Sequence, residues 1–166
     1  MDEAEAAYRA ALDSAVRSLG QREHARRELE RKLASKGHAA VVVRRVIDYL
    51  LEHDLQSDER FAEGFVRSRV RKGYGPVKIR QELASRGVDE TALERQLTEP
   101  ADYWLELARQ VVARKFGDGP HADGGARSAR ESDDDAREAW NARARFLARR
   151  GFPADLIYRA LGSDRD

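Results

Sequence analysis

The chain has 166 residues, 41% of them hydrophobic and 37% charged, with a formal net charge of +1. That length admits one domain or an array of small units. The Arg/Glu/Ala/Leu-rich composition favours helix, since these side chains lose little rotamer freedom there. The absence of cysteine excludes disulfides, thiol catalysis and cysteine-ligated zinc. The most apolar run, VVVRRVIDYLL at 41–51, is too short and too charged to cross a membrane.

Taken in chain order, the first predicted helix covers 3–19, within an acidic start that lacks the basic-then-apolar pattern of a secretion signal. With the missing cysteines, this leads to the expectation of a cytoplasmic protein. A second helix carries Leu29 and Leu33 and stops at Gly37. The run at 41–43 is strand-like by propensity, but Val42, Val43, Val46, Ile47, Leu50 and Leu51 keep helical spacing. A helix over 58–72 sets Phe61, Ala62, Phe65, Val66 and Val70 on one face. KGYGP at 72–76 then reads as a stiff corner. Gly73 ends one helix in the left-handed region, Gly75 sits at the cap, and Pro76 opens the next helix, where its missing N–H is harmless. Ile79 and Leu83 lead to Gly87, followed by a helix in ETALERQL. The next helix, 101–116, carries Trp104, Leu105, Ala108, Val111 and Val112 on its apolar face. Residues 117–135 read as a flexible acidic insertion, its aspartates capping a helix that begins near Ala136.

The chain repeats itself. LASKG at 33–37, LASRG at 83–87 and LARRG at 147–151 each place a leucine four residues before a glycine. Apolar pairs follow each glycine at the same offsets: Val43 and Ile47, Leu93 and Leu97, Ile157 and Leu161. The reading is three units of three helices each: 1–55, 56–99, and 100–166 with the insertion inside it. The fold class is all-α, a tandem array of three-helix repeats that stack into an elongated, curved molecule.

Near-neutrality hides local bias. Residues 60–86 hold eight basic residues against Glu63 and Glu82, and 17–45 hold nine against three acidic ones. Helical spacing puts Arg60, Arg67 and Arg71 opposite the Phe61/Phe65 stripe, with Lys72, Lys78, Arg80 and Arg86 beyond. Arg26, Arg27, Arg31 and Lys36 give the first unit its own basic face. Such a ribbon suits a polyanion or an acidic protein groove, and equally the solvated face of an ordinary helix. Tyr74 beside it is read as a packing residue between helices, with base stacking as the alternative.

No nucleotide-loop, dinucleotide, hydrolase-elbow or HExxH motif is present. GYGPVK lacks the third glycine and follows no strand. His24, His38, His53 and His121 are scattered and read as surface or boundary residues. No enzyme, cofactor or metal site is expected.

SDERFAEGFVRSRVRKGYGPVKIRQELASRGV, 57–88, resembles the signature region of the RecX family of bacterial regulatory proteins. The likeness rests on the Asp58/Glu59 start, Phe61, Phe65, Arg69, Gly73, Gly75, Pro76, Ile79, Leu83 and Gly87 in order and spacing. Looser matches in LASKG and LARRGFPADLIYRAL extend it to roughly 20–163. The resemblance implies binding to the RecA recombinase, above all to its filament on single-stranded DNA. It also implies inhibition or modulation of the recombinase's ATPase, strand-exchange and co-protease activities, and so regulation of DNA repair, recombination and the SOS response. DNA binding of its own is also implied by the resemblance. From the residues, contacts to single- and double-stranded DNA are expected mostly at phosphates, because nothing marks a base-reading helix, and a monomer is expected. An autonomous DNA-binding protein and a helical scaffold for another partner remain the alternatives.

Overall fold

A computed structural model describes residues 2–117 and 133–162. These form nine helices: α1 (Glu3–Gln21), α2 (Arg26–Ser35), α3 (Ala40–Glu52), α4 (Asp58–Arg71), α5 (Pro76–Ser85), α6 (Glu90–Gln96), α7 (Ala101–Phe116), α8 (Asp133–Arg150) and α9 (Ala154–Leu161). There is no strand among the described residues, and VVV at 41–43 lies in α3 as its spacing requires. One boundary moves. Asp133, Asp134 and Asp135 form the first turn of α8 rather than preceding it, where their charge favours the positive end of the helix dipole. Most of the segment read as an insertion lies outside the described residues.

By compactness the chain divides into two units. The first runs to Arg67 and adds Glu82–Gln96, and the second is Ser68–Gln81 with the chain from Leu97 onward. Helices α4 and α5 each contribute to both.

In the first unit, α1, α2 and α3 pack together. The periodic apolar positions become its core: Ala11 and Ala15 from α1, Leu29 and Leu33 from α2, and Val43, Val46, Ile47 and Leu50 from α3. Fully burying a leucine of this kind contributes about 1.5–3 kcal/mol. Phe61, Ala62, Leu83, Val88 and Leu93 are buried in the same unit. The N-cap position of helix α2 is Ala25, which offers no capping side chain. The cap comes from elsewhere in the chain. Asp58 Oδ1 accepts the Arg26 amide at 2.7 Å, and is steadied by Gln56 Nε2 at 2.9 Å. The same Gln56 nitrogen donates to the His24 carbonyl at 3.1 Å.

In the second unit, α7, α8 and α9 pack together around Trp104, Leu105, Ala108, Val111, Leu147, Leu156 and Ile157. The α4–α5 corner meets the α8–α9 corner backbone to backbone. Gly75 donates its amide to the Arg150 carbonyl at 2.7 Å, and Val77 donates to Gly151 at 3.0 Å. The last carbonyl of α8 and that of the stop glycine after it thus take two amides at the start of α5 that no intrahelical partner could satisfy. Gly73 has φ of 79°, and Gly75 caps α5 by accepting the Ile79 amide at 3.2 Å. A Cβ on Gly75 would collide with the Gly151 backbone, so close approach, not dihedral freedom, demands glycine there.

Candidate functional site

The structure separates the predicted basic residues into those already engaged and those that are not. Arg60 is held in place. It donates to Glu23 at 3.2 Å, to Asp54 Oδ1 at 2.9 Å and to the Asp54 carbonyl at 3.0 Å, and the Asp54 and Glu23 hydrogen bonds raise its pKa. Arg67 pairs with Glu63 one helical turn away at 2.9 Å. Arg86 is not part of α5 with Lys78. Helix α5 ends at Ser85, so Arg86 lies in the turn beyond, where it reaches Glu28 at 3.2 Å and lies over the Phe65 ring. Arg26 pairs with Glu30 at 3.5 Å, and Lys36 donates to Ser14 Oγ at 2.6 Å. Arg27 packs along Gly87, and Arg31 and Arg80 are exposed.

Glu28 is the centre of charge in the first unit, with Arg22 at 2.6 Å as well as Arg86. Burial pushes its carboxyl up, but the Arg22 hydrogen bond and the charges of Arg22, His24 and Arg86 outweigh this and lower its pKa. His24 corrects the surface reading. It is 2% exposed, its Nδ1 lies 3.6 Å from Glu28, and neither ring nitrogen reaches a partner in hydrogen-bond geometry. Burial, then the Arg22 guanidinium, lower its pKa.

A second group of basic residues gathers at the KGYGP corner in the second unit. Arg71 and Lys72 are exposed and have no ion pair among the described residues. Tyr74 is half-buried, with Arg150 Cζ 4.9 Å, Lys78 Nζ 5.0 Å and Arg69 Cζ 5.4 Å from its ring centre. Each distance is within cation–π range. Arg150 also donates Nη1 to the Lys72 carbonyl at 2.6 Å, which joins the α8 end to the α4 end. Sequence reading assigned the corner to the middle repeat alone and missed Arg150. The signal was present in LARRG, whose Arg149-Arg150-Gly151 repeats the Arg71-Lys72-Gly73 pattern of two basic residues before a stop glycine.

The backbone of the corner cannot cradle a phosphate, because the amides of Gly75 and Val77 are spent on Arg150 and Gly151. No group of three or more metal-ligating side chains occurs among the described residues, and none of their helices is long and apolar enough to cross a membrane.

The nine helices of the described residues, with a positive-φ stop glycine after α2, α5 and α8, define an all-helical repeat protein. Models of the first, second and third three-helix domains of RecX match residues 11–50, 57–97 and 101–161. The regulatory protein RecX of Halorhodospira halophila is 46% identical over 95% of this chain and 89% of its own. That of Chromohalobacter salexigens is 40% identical over 90% and 89%. The crystal structure of RecX from Lactobacillus salivarius superposes with a TM-score of 0.75 at 22% identity, covering 94% of this chain and 95% of the other, which shows a shared fold. The chain belongs to the RecX family.

Proposed function

We propose that this protein is a non-enzymatic regulator of the RecA recombinase. In this reading it binds the recombinase filament on single-stranded DNA and modulates its ATPase, strand-exchange and co-protease activities. The observation that carries the proposal is that all three RecX domains are present in order, on a chain whose relatives are named regulatory proteins. The geometry narrows the contact surface. Arg60 and Arg86 are committed to carboxylates of the same chain, so the residues proposed to meet an acidic protein surface or DNA phosphate are Arg71, Lys72 and Lys78. Arg26, Arg27, Arg31, Lys36, Arg67 and Arg80 form the periphery of the proposed surface. Contacts to DNA are phosphate contacts, since no helix is marked for base reading, and they weaken steeply with salt.

Capture from bacterial lysate by the immobilised protein, with single-stranded DNA and a nucleoside triphosphate present, tests the partner. Enrichment of the recombinase supports the reading, and its absence among the captured proteins contradicts it. Sequence-selective binding to duplex DNA without the recombinase would favour the autonomous DNA-binding alternative.

A further inference from the structure

Three cations share one aromatic ring at the KGYGP corner, and two of them lack a carboxylate. Lys78 and Arg150 have no ion pair among the described residues, and neither do the neighbouring Arg71 and Lys72. With each within 5.0 Å of the Tyr74 ring centre, Lys78 Nζ and Arg150 Cζ are separated by no more than about 10 Å, roughly a Debye length at moderate salt. Their mutual repulsion is therefore not screened away. The tyrosine face and the Lys72 carbonyl offset part of it, but both are neutral groups.

Such an arrangement is not an ordinary solvated face. In the first unit, Arg22, Arg86 and His24 gather in the same way, and there Glu28 sits among them. At the Tyr74 corner no described carboxylate contacts Lys78 or Arg150. The corner is also fixed in shape, through Gly75 to Arg150, Val77 to Gly151 and Arg150 to Lys72, so the side chains are held on a rigid base. Rigid, half-buried donors lose little entropy on binding an anion.

We propose that the Tyr74 corner is a binding site for one phosphate group. The ammonium of Lys78 and the guanidinium of Arg150 hold its oxygens, and Arg71 and Lys72 supply the surrounding field. The ligand class is a phosphoryl oxyanion, carried either by the backbone of a nucleic acid or by a nucleotide. Tyr74 is a platform for the cations in this site. With cations packed over its ring, it is a poor surface for stacking a base.

This inference rests on the basic corner of the proposed function, but its test contains no recombinase, so the two fail separately. Inorganic pyrophosphate is titrated into the full chain while backbone amide shifts are followed by NMR. The expected result is a saturable shift at Tyr74, Val77, Lys78 and Gly151 that sodium chloride of equal ionic strength does not reproduce. Lys78→Gln removes one charge-assisted contact without touching the backbone clasp, and is expected to weaken binding about tenfold at unchanged thermal stability. Displacement of pyrophosphate by oligothymidylate assigns the site to a nucleic-acid backbone, and displacement by ATP at lower concentration assigns it to a nucleotide. The absence of a saturable shift, equal affinity in Lys78→Gln, or displacement by neither competitor would overturn the proposal.

Discussion

The amide of Gly75 donates to the carbonyl of Arg150 at 2.7 Å, across 75 positions of sequence, and the side chain of Arg150 returns to the Lys72 carbonyl at 2.6 Å. One arginine thus closes the signature corner from both sides. Its carbonyl caps the start of α5, and its guanidinium meets the carbonyl end of α4, where positive charge is favoured.

Gly73→Val is expected to destabilise the second unit by about 3 kcal/mol. A β-branched residue is forced into the left-handed region, and its Cβ would stand 2.7 Å from Val111 Cγ2. Urea denaturation followed by circular dichroism reads the loss. Stability equal to that of the parent would refute the strained-corner account.

His24 predicts an acid sensitivity with a definite sign. Its folded pKa lies below the ordinary value of 6.5, so the unfolded chain binds the proton more readily. The stability contributed by the neutral ring is complete above pH 6.5 and is lost as pH falls through the folded value. Glu28, also lowered, acts the same way further down, below its ordinary 4.5. Denaturation midpoints at pH 7.5 and pH 5.5 should differ in the parent and differ less in His24→Gln. An identical drop in both would remove His24 as the cause.

Asp58→Ala is expected to cost about 1 kcal/mol, the usual value of a lost helix cap, because Asp58 caps α2 rather than only opening α4. Amide exchange at Arg26 is the local readout. It should quicken in the variant, and unchanged protection there would show that the cap is dispensable.

Arg60 and Arg71 should separate stability from binding. The Arg60 side chain is 39% exposed, so its pairs with Glu23 and Asp54 are screened and Arg60→Ala should lower stability by under about 1 kcal/mol. Arg71→Ala should leave thermal stability unchanged and weaken single-stranded DNA binding, with a shallower salt dependence. The reverse pattern would place the contact surface elsewhere.

Much of the fold was legible because its signals are local. Leu33, Leu83 and Leu147, four residues before each repeat glycine, are all fully buried, and Gly37, Gly87 and Gly151 all have positive φ. The start of α8 was misplaced because aspartates serve equally as caps and as first-turn residues, and the sequence does not say which. The candidate site was less legible. Spacing along α4 identifies which arginines share a face, but not that Asp54 and Glu23 arrive from other segments to occupy Arg60. The burial of His24 was hidden for the same reason, since it lies in a turn between α1 and α2 where no periodicity reports burial. Arg150 joins a corner 75 residues away, and only tertiary packing brings the two together.

Suppression of recombinase ATPase on single-stranded DNA tests the central claim most directly. The parent protein is expected to suppress turnover. Arg71→Glu combined with Lys72→Glu is expected to suppress it at least about tenfold less well per mole, while its helical circular dichroism and melting temperature match the parent. Full suppression by the doubly reversed protein, or none by the parent, would contradict the account.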